Sequence, residues 1–444
     1  ESKYMSHIRN IVTTFILGII LSNLVFGQFF NEGMSSEALR PFITPGGFGA
    51  AAFNLQNNAL LARDISSTQF NPAFLININR PKAGLAGNYL FGNFESTLMG
   101  SNRKIASESS TMTTDYFGFA YPVPVYQGAM VLAFSYEPSA YYYSTLKSSG
   151  TAGISIGDVA ESMDIEETGA MNTLRFIGAV EFMPYFDIGL SMNFHNGNRS
   201  YESLKKENAE AADTDTEDYP DINYIELIKP EYNGFNMDFG MAYQSDNIKF
   251  GLRLSTPLKM HIHEYSEFTE DYIYDEAWSG GASWDTTYYY NIEYSACYPW
   301  EFAPSVAVKV GSLTLGADLV LHNWQDIEVD QLTNEDEINR DLYWNLRRTT
   351  DISIFAAIPL GEKISTRLAY RRIPSPYESL QNEDEEIGHL LGASVETILM
   401  KSVIMGISFQ RSIGNQTVPH PYFGTYSEQS YTNNRLSLSL AILL

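Results

Sequence analysis

Four sets of residues have the types and spacing that chemistry could use. His261 and His263 stand two apart, so an extended strand would present both imidazoles on one face, as a metal site needs. Glu264 is adjacent, but no cysteine and no third ligand follows at a supporting distance, so no metal is expected. Asp213, Asp215 and Glu217 imitate the opening of a calcium loop. Its sixth position is Asp218 instead of the turn-forming glycine, and its twelfth is Tyr224 instead of a bidentate glutamate. That excludes an EF-hand and leaves open a looser cation-binding loop. Ser245-Asp246-Asn247 would suit a serine hydrolase only with a Ser-x-x-Lys partner in a helix; that partner is missing, and the tripeptide reads as a turn. Asp318 and His322 are four apart, so on a strand they share a face and could orient a polar ligand head or act as an acid/base pair. No nucleophile can be placed beside them. Both are read as polar residues of an interior, and neither an enzyme nor a cofactor is expected.

These candidates lie on or between short segments in which apolar and polar residues alternate, the period of a strand with two unlike faces. Ile248, Phe250, Leu252 and Leu254 make one apolar face; Leu313, Leu315, Ala317, Leu319 and Leu321 make another. Leu436, Leu438, Leu440, Ile442 and Leu444 make a third. Fourteen such segments fit between Lys82 and Leu444. Tight links join them at 122–128, 184–187, 244–247, 310–312, 359–363 and 399–402. Long links alternate with these, at 97–113, 144–172, 199–229, 264–286, 325–344, 375–385 and 413–430. Soluble sandwiches share the residue alternation, but alternating loop lengths over an even strand count belong to a transmembrane barrel. The expected fold is therefore an all-β membrane protein, a 14-stranded antiparallel transmembrane β-barrel over residues 81–444, with its long links extracellular.

Composition agrees with that class. Aromatics reach 14%, with 29 Tyr and 26 Phe, although mean hydropathy is only −0.18. A barrel explains both values, because lipid-facing apolar residues alternate with lumen polar ones and aromatics gather at the interfaces. Tyr141-Tyr142-Tyr143, Tyr288-Tyr289-Tyr290 and Trp278, Trp284 and Trp300 are expected in such girdles, or in an aromatic funnel at 264–286. A net charge of −25 argues against a nucleic-acid partner. Acidic runs at Asp213–Asp218 and 382–386 read as solvated loops. Cys297 is the single cysteine, so no internal disulfide can form.

Residues 1–27 read as an export signal preceded by four extra residues: Met5, a basic Arg9, an uncharged run from Ile11 to Phe26, and a cleavage site before Gln28. Residues 28–80 are rich in small residues and weak in period, as in Pro45-Gly46-Gly47-Phe48-Gly49-Ala50-Ala51-Ala52. They are expected to form a plug or hatch, since fourteen strands enclose a lumen too wide for side chains alone to fill.

The small-residue run and the stretch Asp64-Ile-Ser-Ser-Thr-Gln-Phe-Asn71-Pro72-Ala73 resemble the hatch of the FadL/TodX family of outer-membrane transporters for hydrophobic compounds. Phe117-Gly-Phe-Ala-Tyr-Pro-Val-Pro124, Phe302-Ala-Pro-Ser305, and Leu315-Gly-Ala-Asp318 with Trp324 resemble strands of the same family. Phe74-Leu75 stands where the family usually has Gly-Leu. The resemblance implies passive uptake of a hydrophobic small molecule, such as a long-chain fatty acid or an aromatic hydrocarbon, through the outer membrane of a Gram-negative bacterium. It implies a monomer in outer-membrane lipid, assembled by the barrel assembly machinery, with Asn71, Pro72 and Ala73 as the hatch motif and an apolar pocket in the lumen. A PorV-like secretion scaffold is the alternative, and an outer-membrane hydrolase stands third.

Overall fold

A computed structural model describes residues 65–98, 104–154, 157–208, 221–273, 283–332, 335–361, 363–374, 376, 387–419 and 426–444. The expected signal peptide, hatch residues 28–64, the acidic runs at 213–218 and 382–386, and Trp278 lie outside the described residues.

The chain forms one antiparallel sheet of strands β1 (Lys82–Leu98), β2 (Lys104–Val123), β3 (Met130–Tyr141), β4 (Ser144–Ile154), β5 (Gly157–Met183), β6 (Phe186–Asn208), β7 (Asp221–Gln244), β8 (Ile248–Ser255) and β9 (Leu258–Ile273). It continues through β10 (Trp284–Tyr298), β11 (Glu301–Val310), β12 (Leu313–Asn323), β13 (Glu328–Asp330), β14 (Arg348–Leu360), β15 (Ile364–Pro374), β16 (Ile387–Met400), β17 (Val403–Pro419) and β18 (Tyr426–Leu443). β1 pairs with β18 from Lys82↔Leu443 to Leu98↔Ser427, which closes the ring.

The expectation of fourteen strands is corrected. The closed barrel has 16 strands, built from eighteen ladder segments. Two causes are visible. Breaks at Thr256-Pro257 and Pro299-Trp300 each divide a stretch that alternates as one strand, because proline has no N–H for the ladder. Pairing also runs through stretches read as loops: β4 and the start of β5 occupy 144–172, and β13 lies in 325–344. All six tight links stand where the pattern puts them. In one, Gly311 takes φ +66°, which a two-residue hairpin needs and a side chain resists.

The faces divide as lipid demands. Phe235, Phe239, Met241 and Tyr243 on β7 point outward and are exposed, while Asp238, Gly240 and Ala242 between them face the lumen. Leu319 and Leu321 on β12 are likewise exposed, with Asp318 and Val320 buried. An apolar exterior round a closed ring of hydrogen-bonded strands is what spans a bilayer.

Candidate functional site

The chain before β1 enters the lumen as two 3-10 turns, Ile65–Gln69 and Pro72–Asn77. Asn71 caps the second turn, and Pro72 follows at a position where its missing N–H costs nothing. Asn71 Oδ1 accepts from the Ala73 N–H at 3.0 Å. Asn71 Nδ2 donates to the Met241 and Leu252 carbonyls, each at 3.1 Å, and those residues face each other across β7 and β8. The motif thus seats on backbone, which it can reach only where the wall has no side chains. Gly189, Gly240 and Gly251 on β6, β7 and β8 supply that space: a Cβ at Gly189 would overlap Pro72 and Ala73, and one at Gly240 would overlap Asn71 Oδ1. At Gly251 it would crowd Phe74 and Ser305. Phe74 is buried among Ala242, Ala307 and Phe355, and Arg253 donates to the Gln69 carbonyl at 3.3 Å.

Beside this seat runs a belt of inward polar residues. On the β5–β8 side Arg175 donates to Glu137 at 2.7 Å, and to Asn193 and Asp238 at 3.1 Å each. Asp238 also accepts from Asn193 at 2.8 Å and from Ser255 at 2.5 Å. His195 lies between Thr173 at 2.9 Å and Asn236 at 3.0 Å. On the β11–β15 side Asp318 and His322 share the inner face, as the spacing predicts, but they are not a pair. His322 meets Glu301 at 3.2 Å and Asp351 at 3.4 Å, and its ring stacks on Trp324. Asp351 also takes an ion pair from Arg371, and Glu301 one from Arg253. The Asp318 carboxylate is 1% exposed and has no hydrogen-bond partner among the described residues.

Above the seat, β4 leaves the wall. The β2–β3 ladder stops at Phe117↔Tyr136, and the β3–β5 register shifts between Pro138 and Ala140. β4 stays paired to β5 and lies against the inner faces of β1 and β2, where Ser96 and Ser107 donate to the Lys147 and Thr145 carbonyls at 2.5 Å each. The wall is therefore interrupted beside β2 above Phe117. A cavity of about 500 Å³ adjoins the interruption, lined by Leu90, Tyr141, Tyr143, Leu390, Gln410 and Arg435 among others. Hydroxyl and amide side chains outnumber the aliphatic ones, so this cavity is not the apolar pocket that the resemblance implies. The opposite side of the vestibule is filled: β13 and helix α1 (Glu335–Asn345) pack Ile327, Val329, Ile338 and Leu342 against Met260, Ile262 and Tyr294.

No family model and no curated protein matches the sequence. Solved structures do match. A Pseudomonas aeruginosa FadL homologue superposes with a TM-score of 0.60 at 11% identity, over 90% of this chain and 99% of its own. The P. putida toluene transporter TodX gives 0.53 at 11%, over 91% and 99%. The CymD monoaromatic hydrocarbon channel gives 0.52 at 11%, over 91% and 98%. The chain has the FadL/TodX fold. That fold is a barrel of the outer membrane.

Of the residues singled out in the sequence, Asn71, Pro72 and Ala73 meet the wall, and Asp318 and His322 share the lumen. His261 and His263 share a face, but it is the outer one, with Glu264 buried on the other. Ser245 closes the β7–β8 turn through its hydroxyl to the Ile248 carbonyl at 2.8 Å. Tyr142 is buried in the vestibule core and not in a girdle, whereas Tyr288, Tyr289 and Tyr290 are exposed. Sequence reasoning missed the glycine seat and the folded-in β4. The register gives one signal in hindsight: Gly189 pairs with Gly240, and Ala242 with Gly251, leaving a patch of small inward residues on three adjacent strands.

Proposed function

We propose that this chain is a passive outer-membrane channel for hydrophobic small molecules with long-chain fatty acids or aromatic hydrocarbons as the cargo class. Residues 1–27 direct export, 28–80 form the hatch and 81–444 the barrel. The observation that carries this reading is the interrupted wall: a lumen cavity adjoins a break in the β2–β3 ladder, giving an apolar molecule a route into lipid without crossing water. The solved structures whose fold it shares are a FadL homologue, the toluene transporter TodX and the CymD monoaromatic hydrocarbon channel. Asn71, Pro72 and Ala73 hold the hatch, and Asp318 and His322 belong to the polar lumen. The mixed cavity lining favours cargo with one polar end over a bare hydrocarbon. Nothing in the route calls for a cofactor or a reaction.

Uptake of labelled toluene and labelled dodecanoate into outer-membrane vesicles tests this. Vesicles holding the protein should accumulate at least one of them faster than empty vesicles, and Asn71→Ala should alter that rate with the barrel still assembled. No gain over empty vesicles for either compound would remove the uptake reading and favour the secretion scaffold.

A further inference from the structure

The lumen cavity beside the interrupted wall, about 500 Å³, has the size of a small-ligand site. Two neighbouring inner rows of the wall line it. In the first, Leu390 stands opposite Ser412, Ser412 opposite Asn433, Asn433 opposite Gly92 and Gly92 opposite Ser109. In the second, Gln410 stands opposite Arg435, Arg435 opposite Leu90 and Leu90 opposite Thr111. Gly92 leaves room in the first row, since a Cβ there would overlap Asn433 Oδ1. The folded-in β4 and β5 segment contributes Tyr143, Glu166 and Thr168, all exposed. Charge in the lining nearly cancels. Glu167 is held by Arg199 at 2.6 Å, and Glu108 follows the inward Ser107, so it lies on the outer face of β2 opposite Asn93. That leaves Glu166 and Arg435, one of each sign. Hydroxyls and amides, which both donate and accept, make up most of the rest.

We infer that this cavity takes an uncharged polyhydroxyl head group, so that the cargo is a glycoside with an apolar aglycone. This rests on the uptake reading and specifies the polar end of its cargo. Each hydroxyl of a sugar ring both donates and accepts, which answers a lining of Ser, Thr, Asn and Gln side chains. Two adjacent hydroxyls can also donate to one carboxylate, as Glu166 offers. A carboxylate head only accepts: it would meet Arg435 and Glu166 together, and would leave the acceptors of the lining without donors. A bare hydrocarbon would strip water from these groups and return no hydrogen bond. The apolar face of a sugar ring suits the exposed ring of Tyr143. The aglycone has the interruption above Phe117 beside it, which leads to lipid.

The test compares hexyl β-glucoside with hexan-1-ol and hexanoate, equal in tail length, by titration calorimetry on the full protein in a polyoxyethylene detergent that carries no sugar. The glucoside should bind about tenfold more tightly than either, as one or two net hydrogen bonds would give. The Thr111→Val/Ser412→Ala variant removes hydroxyls from both rows at little change in volume and should abolish most of that ratio, with normal heat-modifiable migration in gels. Tyr143→Leu, on an exposed side chain, should lower the ratio independently and gives the reading if the double variant fails to assemble. Equal affinities of glucoside and hexan-1-ol in the unaltered protein would overturn the inference, as would hexanoate binding as tightly as the glucoside or a ratio unchanged in the variants. Labelled hexyl glucoside should also enter outer-membrane vesicles holding the protein faster than empty ones. Binding without entry would overturn the cargo assignment and mark a site for a resident glycolipid. Labelled toluene and dodecanoate are read beside it: entry of either without the glucoside counts against the head-group inference alone, while entry of none of the three counts against the channel.

Discussion

The two sides of the inner polar belt are built from the same residue classes on the same alternating strands, yet they close differently. On the β5–β8 side the charges share a connected network: Arg175 spans Glu137, Asn193 and Asp238, and Asp238 takes further bonds from Asn193 and Ser255. On the β11–β15 side Asp351 and Glu301 take the ion pairs and His322, and Asp318 is left buried without a hydrogen-bond partner among the described residues. A closed network fixes strand positions, because every member lost leaves another unsatisfied. An open one adds cost without adding constraint. Burial and residue type alone do not tell the two apart; the partner count does.

Arg175→Ala should give the largest effect. It strands Glu137 and Asp238 in a site where Arg175 itself is only 11% exposed, and losing one member of a buried ion pair costs about 3–5 kcal/mol. Urea-induced unfolding in detergent, followed by tryptophan fluorescence, should show a midpoint well below that of the unaltered protein. A loss under about 1 kcal/mol would mean that water satisfies the network and that the two sides are alike after all.

Much of this was legible in the chain, and what was not had physical causes. The alternation gave the barrel, its lipid face and six tight turns, because one side of each strand meets lipid and the other does not. It failed at 104–113 and 199–208. There Lys104-Ile-Ala-Ser-Glu-Ser-Ser-Thr and Arg199-Ser-Tyr-Glu-Ser-Leu-Lys-Lys are paired strands with polar residues on both faces, so the period that marks a half-buried strand is absent. Asp318 and His322 were correctly given one face, since four residues along a strand preserve the side. Their partners were not legible, because Glu301, Asp351 and Arg371 are brought alongside by register between strands and not by spacing within one. Asn71-Pro72-Ala73 stood out as a motif, while the glycines it packs on, Gly189, Gly240 and Gly251, were scattered over three strands.

That seat gives the next largest effect. Gly240→Ala puts a methyl group where Asn71 Oδ1 and Pro72 lie, and overpacking of this kind costs about 1–3 kcal/mol. Asn71→Ala removes both wall hydrogen bonds and should cost a similar amount, about 1–3 kcal/mol for the carbonyls left behind. Because each disturbs the same contact, the double variant should lose less than the sum of the two, which a double-mutant cycle on unfolding midpoints reads directly. Strict additivity would separate the glycine from the motif, and the seat would then be a coincidence of small residues.

The smallest effect, and the one that most sharpens the contrast between the two sides, comes from making the same substitution in both. Asp238→Asn takes a charge from a carboxylate that accepts from Arg175, Asn193 and Ser255, so it should destabilise by about 1–3 kcal/mol. Asp318→Asn keeps the shape and replaces a carboxyl group that is buried with no hydrogen bond among the described residues. Relief of that desolvation should leave stability unchanged or raise it by up to about 1 kcal/mol. The two variants differ by one oxygen-to-nitrogen exchange each, so packing cannot account for opposite signs. Both would be measured as shifts in the urea midpoint at neutral pH in the same detergent. If Asp318→Asn instead weakened the protein as much as Asp238→Asn does, the Asp318 carboxylate would have to be held by a bound cation or ordered water. The β11–β15 side would then be as closed as the other.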